Sequence, residues 1–276
     1  MTCKEKVKNE YIDILEGNLP IIITAAHGGD DKPSNIKDRA SGVFDKDDYT
    51  KELTQAIYKE FFAQTKQYPN TVIMNLSRNK IDANRDVFEA IEMDDKNALV
   101  AYNSFHKAIN NSFDKVKSIH KYGLYFDIHG QSHSHQNIEL GYLLTNDILK
   151  LDSNTLEKHK ENSSLNSIVN ISNKGFIQTL NGKFSLGSLL QNKGFDTIPS
   201  SKNKYAKNDE EYFEGAFNTK SYSLIGSPTI TAIQCEFPYK CRETEENRNA
   251  TAKAFVSSVL EFYKIHFGVD FVDTRV

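Results

Sequence analysis

Two histidines in this sequence stand in the same local setting: His27 and His129 each end an apolar run, and each is followed by glycine. The first closes Leu-Pro-Ile-Ile-Ile-Thr-Ala-Ala (19–26) and the second closes Tyr-Gly-Leu-Tyr-Phe-Asp-Ile (122–128). Runs of β-formers that stop at a glycine read as buried strands, and open α/β sheets place ligands at the carboxyl ends of such strands. Period-two alternation puts Asp127 on the same face as His129, with Ile128 opposite. A carboxylate so placed either orients the imidazole or shares its cavity, and both uses suit a bound metal. Gly28 and Gly29 let the backbone turn sharply after His27 and let another group come close to the ring.

Further polar groups have the types such a centre needs. Asp47 and Asp48 stand where helical periodicity begins, with Leu53, Ile57 and Phe61 four apart on one stripe. Asp48 shares the solvent stripe of Glu52, Gln55 and Lys59, whereas Asp47, just outside the helix, either caps it or turns toward the sheet. Arg78 and Arg85, with Asn84 beside the second, form either a fork for a carboxylate or oxyanion, or a surface loop salt-bridged by Asp82 and Asp86. His133 and His135 alternate with serines close after His129, which makes them rival ligands to His27 on a less rigid support. Thr229–Phe237 ends a last apolar run, with Gln234 and Glu236 on one face and Cys235 and Phe237 on the other. An ionisable Glu at the end of a buried strand is expensive unless something there uses or neutralises it.

The elements that must position these groups are strands near residues 19–26, 71–76, 122–130, 138–144 and 229–237, and helices over about 47–61, 96–120, 186–191 and 249–266. Neither a repeat nor a hinge-like linker interrupts them, so one domain over residues 1–276 is expected. The balance of 34 basic and 37 acidic residues is no electrostatic footprint of a nucleic-acid binder. No apolar run approaches membrane-span length, and the lysine-rich N-terminus has no apolar core of a secretory signal, so a cytoplasmic protein is expected. Three cysteines without metal-type spacing fit a reducing compartment.

Taken in order, His27-Gly-Gly, Asp47-Asp48, Arg78 with Asp82-Ala-Asn84-Arg85, Asp127-Ile-His129-Gly, Glu139-Leu-Gly141-Tyr and Gln234-Cys-Glu236 with Arg242 resemble the N-formylglutamate amidohydrolase-like family, over roughly residues 20 to 245. That family is similar to zinc carboxypeptidases and aspartoacylases and, more distantly, to zinc N-acetylmuramoyl-alanine amidases. The resemblance implies a three-layer α/β/α fold with a mixed, mostly parallel sheet of the phosphorylase/hydrolase type. It implies one zinc per chain held by His27, His129 and a carboxylate. Carboxypeptidase-like proteins take that carboxylate three residues after the first histidine, here Asp30; the amidases take it from the next helix start, here Asp47 or Asp48. Asp47 is the preferred ligand.

By the same resemblance Glu236 is the general base and Arg85 the oxyanion or carboxylate partner, with Arg78, Asn84 and Gln234 also binding substrate. The expected activity is hydrolysis of an N-acyl amino acid or similar small amide. A peptidase or muramoyl-alanine amidase-like activity and a non-catalytic metal- or ligand-binding role are the alternatives. Loops 131–137 and 195–228 are expected to line the pocket.

Overall fold

The computed structural model describes residues 7–8, 11–207 and 210–271. Among the described residues, eight strands form one sheet: β1 (Val7–Lys8), β2 (Ile12–Leu15), β3 (Ile21–Ala25), β4 (Asn70–Met74), β5 (Gly123–Gln131), β6 (Ile138–Gly141), β7 (Thr197–Ile198) and β8 (Ile230–Pro238), in the order β1-β2-β4-β3-β5-β8-β6-β7. Its centre, β4-β3-β5-β8, is a parallel block, and β2 and β6 pair antiparallel on its two sides. Every residue of β3, β4 and β8 is buried, which is the consequence of helices covering both faces of a parallel sheet. The mixed, mostly parallel α/β/α arrangement expected from the sequence is present.

Alternation along the strands separates two cores. On one side, helices α1 (Thr50–Thr65) and α4 (Glu245–Phe267) pack Leu53, Ile57, Phe61, Phe255 and Val259 against Ile21, Ile23, Leu124, Phe126, Ile128, Ile233 and Phe237. On the other, α2 (Lys96–Ile119) packs Phe105, Ile109 and Phe113 against Ile22, Val72, Met74, Tyr125 and Ala232. Thr24, Asp127, His129, Gln234 and Glu236 continue the strand positions of this second side. The apolar layer beneath α2 therefore turns polar toward the carboxyl ends of the strands. Among the described residues, no helix is long and apolar enough to cross a membrane.

Local differences from the expected elements have local causes. Tyr49 adopts φ 63, a left-handed conformation, so α1 starts at Thr50 and Asp47 does not cap it. Asp47 instead anchors the turn by its carbonyl, which accepts bonds from Thr50 N (3.2 Å) and Thr50 Oγ1 (2.7 Å). Gly123 opens β5; α2 ends earlier, at His120, whose N–H bonds Val116 O. The strand expected over 138–144 stops at Gly141. The stretch expected as a loop over 195–228 contains a further helix, α3 (Phe217–Gly226), with little apolar periodicity of its own. It is held by Tyr222, which stacks on Phe113 and lies beside Tyr125.

One close approach fixes the site loop to the sheet. Gly29 bridges Ser77, Asp31 N bonds Asn75 O (3.0 Å) and Ser77 N bonds Asp31 O (2.9 Å), so the chain after β3 continues beside the chain after β4. A Cβ on Gly29 would lie 2.2 Å from Asn75 O, a backbone atom. Gly29→Ala is expected to cost at least about 1–3 kcal/mol by overpacking and, by shifting residues 77–86, to weaken uptake of the metal expected from the sequence. Thermal unfolding and metal titration of the variant check both effects.

Candidate metal centre

His27 follows the end of β3, and its carbonyl accepts a bond from Asp47 N (3.2 Å), which draws the 45–49 turn back over the strand end. The turn can come this near because residue 28 is glycine: a Cβ there would sit 2.6 Å from Thr50 Oγ1. Asp47 Oδ2 then lies 3.1 Å from His129 Nδ1, 3.5 Å from His27 Nδ1 and 3.1 Å from Gly130 N. The two imidazoles meet edge to face, with centroids 4.9 Å apart at 61°. One ligand atom from each of His27, Asp47 and His129 lies within 4.8 Å of the others.

The opposite nitrogen of each ring is held by a second carboxylate. His27 Nε2 lies 2.7 Å from Asp82 Oδ1, and His129 Nε2 lies 2.8 Å from Asp127 Oδ2. These partners direct the Nδ1 atoms of both rings toward Asp47, the arrangement that orients imidazole ligands and raises their basicity. The carboxylates are themselves secured. Arg78 donates to Asp82 Oδ2 from Nε (3.0 Å), with its NH2 group 2.9 Å from the same oxygen, and Asn84 N donates to Asp82 Oδ1 (3.1 Å). Thr24 Oγ1 donates to Asp127 Oδ1 (2.5 Å) and Asn218 Nδ2 to Asp127 Oδ2 (3.2 Å).

Burial alone would push the pKa values of these acids up, but the imidazoles and their other partners outweigh it. Asp47, facing both histidines, is held well below the ordinary carboxylate value. Asp82, beside His27 and Arg78, and Asp127, beside His129, are lowered too. Burial works against charge on His129, yet Asp127 and Asp47 raise its pKa well above the ordinary imidazole value. Glu236 behaves oppositely: burial, reinforced by Asp47, Glu139 and Asp127 against the opposing pull of His129, pushes it up to about 8. Its Cα pairs with that of His129 across β5 and β8, and its Oε1 accepts from Gln234 Nε2 (2.9 Å).

A cavity of about 380 Å³ opens over this group, lined by His27, Asp47, His129, Arg85 and Glu236 with Gln131, His133, Phe213 and Ala216. Both loops expected to line the pocket contribute. Of the rival carboxylates, Asp30 is exposed and paired with Lys46 (2.6 Å), and Asp48 is exposed. Arg78, Asn84 and Gln234 spend hydrogen bonds on the protein: Arg78 on Asp82, Asn84 Oδ1 on Asn218 N (2.8 Å), and Gln234 Oε1 on Ala216 N (2.9 Å). Arg85 is half-buried, with NH1 bonded to Asn84 O (2.8 Å). Arg242 braces the rim through Phe237 O and Gln131 O (both 3.1 Å) and Asp48 O. His133 and His135 do not join His129; they face Glu139.

Sequence reasoning named Asp82 only as a salt-bridge partner, with Asp86, in the surface-loop alternative for the Arg78–Arg85 stretch. Asp82 does pair with Arg78, but it is completely buried. The signal for it was the apolar interleaving of Leu76, Ile81 and Ala83, all of which are in the core.

No protein-family model matches the sequence, and no curated protein matches it. Among solved structures, an N-formylglutamate amidohydrolase from Ralstonia eutropha JMP134 is similar with TM-score 0.57 at 11% sequence identity, over 94% of this chain and 99% of that one. A gene product from Agrobacterium tumefaciens is similar with TM-score 0.54 at 11% identity, over 90% of this chain and 93% of that one. At identity this low, the likeness shows a shared fold alone.

Two outcomes follow from the paired carboxylates. Asp82→Asn is expected to lower metal affinity roughly 10–100-fold while the protein stays folded, as read by metal titration and circular dichroism. The metal-free protein gains stability from Asp82 at any pH above the ordinary carboxylate range, because the folded-state pKa is depressed. That stability drains away as pH falls below about 4, so denaturant melts should show a flatter acid limb in Asp82→Asn than in the parent.

Proposed function

We propose that this protein is a zinc-dependent amidohydrolase, acting on the amide bond of an N-acyl amino acid such as an N-formyl amino acid, or on a similarly small acylated substrate. The observation that carries the reading is the convergence of His27 Nδ1, His129 Nδ1 and Asp47 Oδ2 in an open cavity that also contains buried Glu236. Two imidazoles and one carboxylate fit a catalytic rather than a structural zinc, since three protein ligands leave one position open. The Nδ1 atoms are pre-aimed by Asp82 and Asp127, which further fits the donor set to such an ion. Zinc, when bound, supplies a Lewis acid for the substrate carbonyl and lowers the pKa of water.

Around that ion the chain's own residues carry the proton and the charge. Glu236 takes the proton of the attacking water and delivers it to the leaving nitrogen. A carboxyl group with pKa near neutrality suits both halves of that task, and a cation nearby favours its ionised form. Arg85 reaches the cavity with most of its guanidinium beyond the bond to Asn84 O and receives the oxyanion or a substrate carboxylate. Asn84, Arg78 and Gln234 line the same wall and act chiefly by holding carboxylates in place, Asn84 N and Arg78 on Asp82 and Gln234 on Glu236. The cavity lies at the small end of ligand pockets, which favours a small acylated substrate over a polymer. The fold shared with an N-formylglutamate amidohydrolase supports the same class of amide. A cytoplasmic enzyme of one domain is part of this reading.

Glu236→Gln keeps the shape and removes the proton acceptor. Zinc content and substrate affinity should survive, while turnover of acylated amino acids falls by roughly two to four orders of magnitude. A metal-loaded Gln variant with near-parental turnover would remove Glu236 from the reaction, and no turnover by the parent across N-acyl amino acids and small peptides would favour a binding protein. His129→Ala and Asp47→Ala should strip the zinc of this centre, whereas Asp30→Ala and Asp48→Ala should leave it. Elemental analysis is the readout, and a parent protein that takes up no transition metal on reconstitution would overturn the zinc assignment.

A further inference from the structure

A second group of metal-type donors lies at the same cavity and has no part in the reading above. His133, His135 and Glu139 each offer one ligand atom within 4.8 Å of the others. Glu139 lies on β6 with its Cα paired to that of Glu236 on β8, and it is sealed from solvent. Its Oε2 accepts a bond from Phe213 N (2.7 Å). Its Oε1 faces both rings, 2.7 Å from His133 Nδ1 and 3.4 Å from His135 Nε2.

The loop between β5 and β6 is built to hold those rings. Gln131 donates from Nε2 to Asn137 O (2.8 Å) and accepts at Oε1 from His133 N (2.6 Å). Gln136 Nε2 donates to His133 O (3.0 Å), and the Phe213 ring lies 4.6 Å from that of His133 at 30°. Among the described residues, no Lys or Arg pairs with Glu139, and the buried Nδ1 of His135 has no hydrogen-bond partner. A buried carboxylate beside a second one on the next strand, with two imidazoles and one backbone N–H as its partners, is a place where a cation lowers the energy.

We propose that His133, His135 and Glu139 form a second site for a divalent cation of the zinc type, bordering the cavity of the His27–Asp47–His129 centre. Two imidazoles and a carboxylate are again a set that leaves one coordination position open, and His133 lines the cavity beside His129 and Glu236. Loading the site displaces the proton shared by His133 Nδ1 and Glu139. It also releases His135 Nε2 from Glu211 O, 2.9 Å away. Neither ring has a carboxylate comparable to Asp82 or Asp127 fixing its orientation from behind; the Glu211 carboxylate, 3.4 Å from His133 Nε2, is exposed. Such partners are worth roughly 10–100-fold in affinity, so the second site is the weaker by about that factor.

The test is equilibrium dialysis of metal-stripped protein against zinc, with bound metal counted by elemental analysis and folding followed by thermal melts. The parent should saturate at two zinc ions, the second filling at roughly 10–100-fold higher free zinc. His133→Ala should keep the tight ion and lose the weak one. His135→Gln, which retains a donor for Glu211 O, should do the same, and His129→Ala should lose the tight ion alone. Saturation of the parent at a single zinc that His129→Ala removes, or survival of the weak ion in both His133→Ala and His135→Gln, would overturn the second site. Absence of the tight ion with the weak one present would instead overturn the His27–Asp47–His129 centre and leave this inference standing.

Discussion

Five carboxylates, those of Asp47, Asp82, Asp127, Glu139 and Glu236, are buried at one end of one sheet, and the local structure is arranged to make that tolerable. Removing a carboxylate from water costs several kcal/mol unless hydrogen bonds and opposite charge replace its hydration. Arg78 and Asn84 N serve Asp82, Thr24 and Asn218 serve Asp127, and Gly130 N serves Asp47. His27 and His129 each stand between two carboxylates, so a single ring offsets parts of two charges. Glu236 is the exception, with a neutral amide as its hydrogen-bond partner and a pKa pushed up to about 8. An acid left partly uncompensated among compensated ones is a feature expected of a reacting group, and it supports the role proposed for Glu236.

That arrangement is a direct consequence of strand order. The parallel block brings the carboxyl ends of β4, β3, β5 and β8 to one edge, so residues remote in sequence arrive as neighbours. His129 and Glu236 face each other in register, and the chains leaving β3 and β4 are tied through Gly29 and Ser77. The turn at Tyr49 then supplies Asp47 from outside the sheet. Its left-handed φ of 63 is a cost borne by a residue with a side chain, and its return is that the helix begins three residues beyond the carboxylate instead of absorbing it.

Much of this was legible in the sequence because the signals were local. His27 and His129 announce themselves by an apolar run before and a glycine after, and Asp127 and Glu236 by their phase within a strand. Asp47 was legible as a residue outside a helical stripe. Asp82 was not, because an Arg-x-x-x-Asp spacing looks the same on an exposed loop and beneath a site; only the neighbouring Ile81 and Ala83 hinted at burial. The pairing of His133 with Glu139 was equally hidden, since it depends on β6 returning antiparallel beside β8. The edge strands β1 and β7, the short β2 and the helix α3 lack strong periodicity, and they exist through contacts that a single chain segment does not encode.

The two sides of β5 and β8 carry separate duties: Phe126, Ile128, Cys235 and Phe237 belong to the core beneath α1 and α4, and Asp127, His129, Gln234 and Glu236 belong to the polar edge. Alternate positions of one strand are therefore exposed to different selective pressures. The apolar set tolerates any combination that fills the same volume, and the polar set can be revised by substitutions that leave packing on the reverse side untouched. Two sequences can thus differ widely and carry different polar edges on the same frame, which is how a fold is shared at 11% identity.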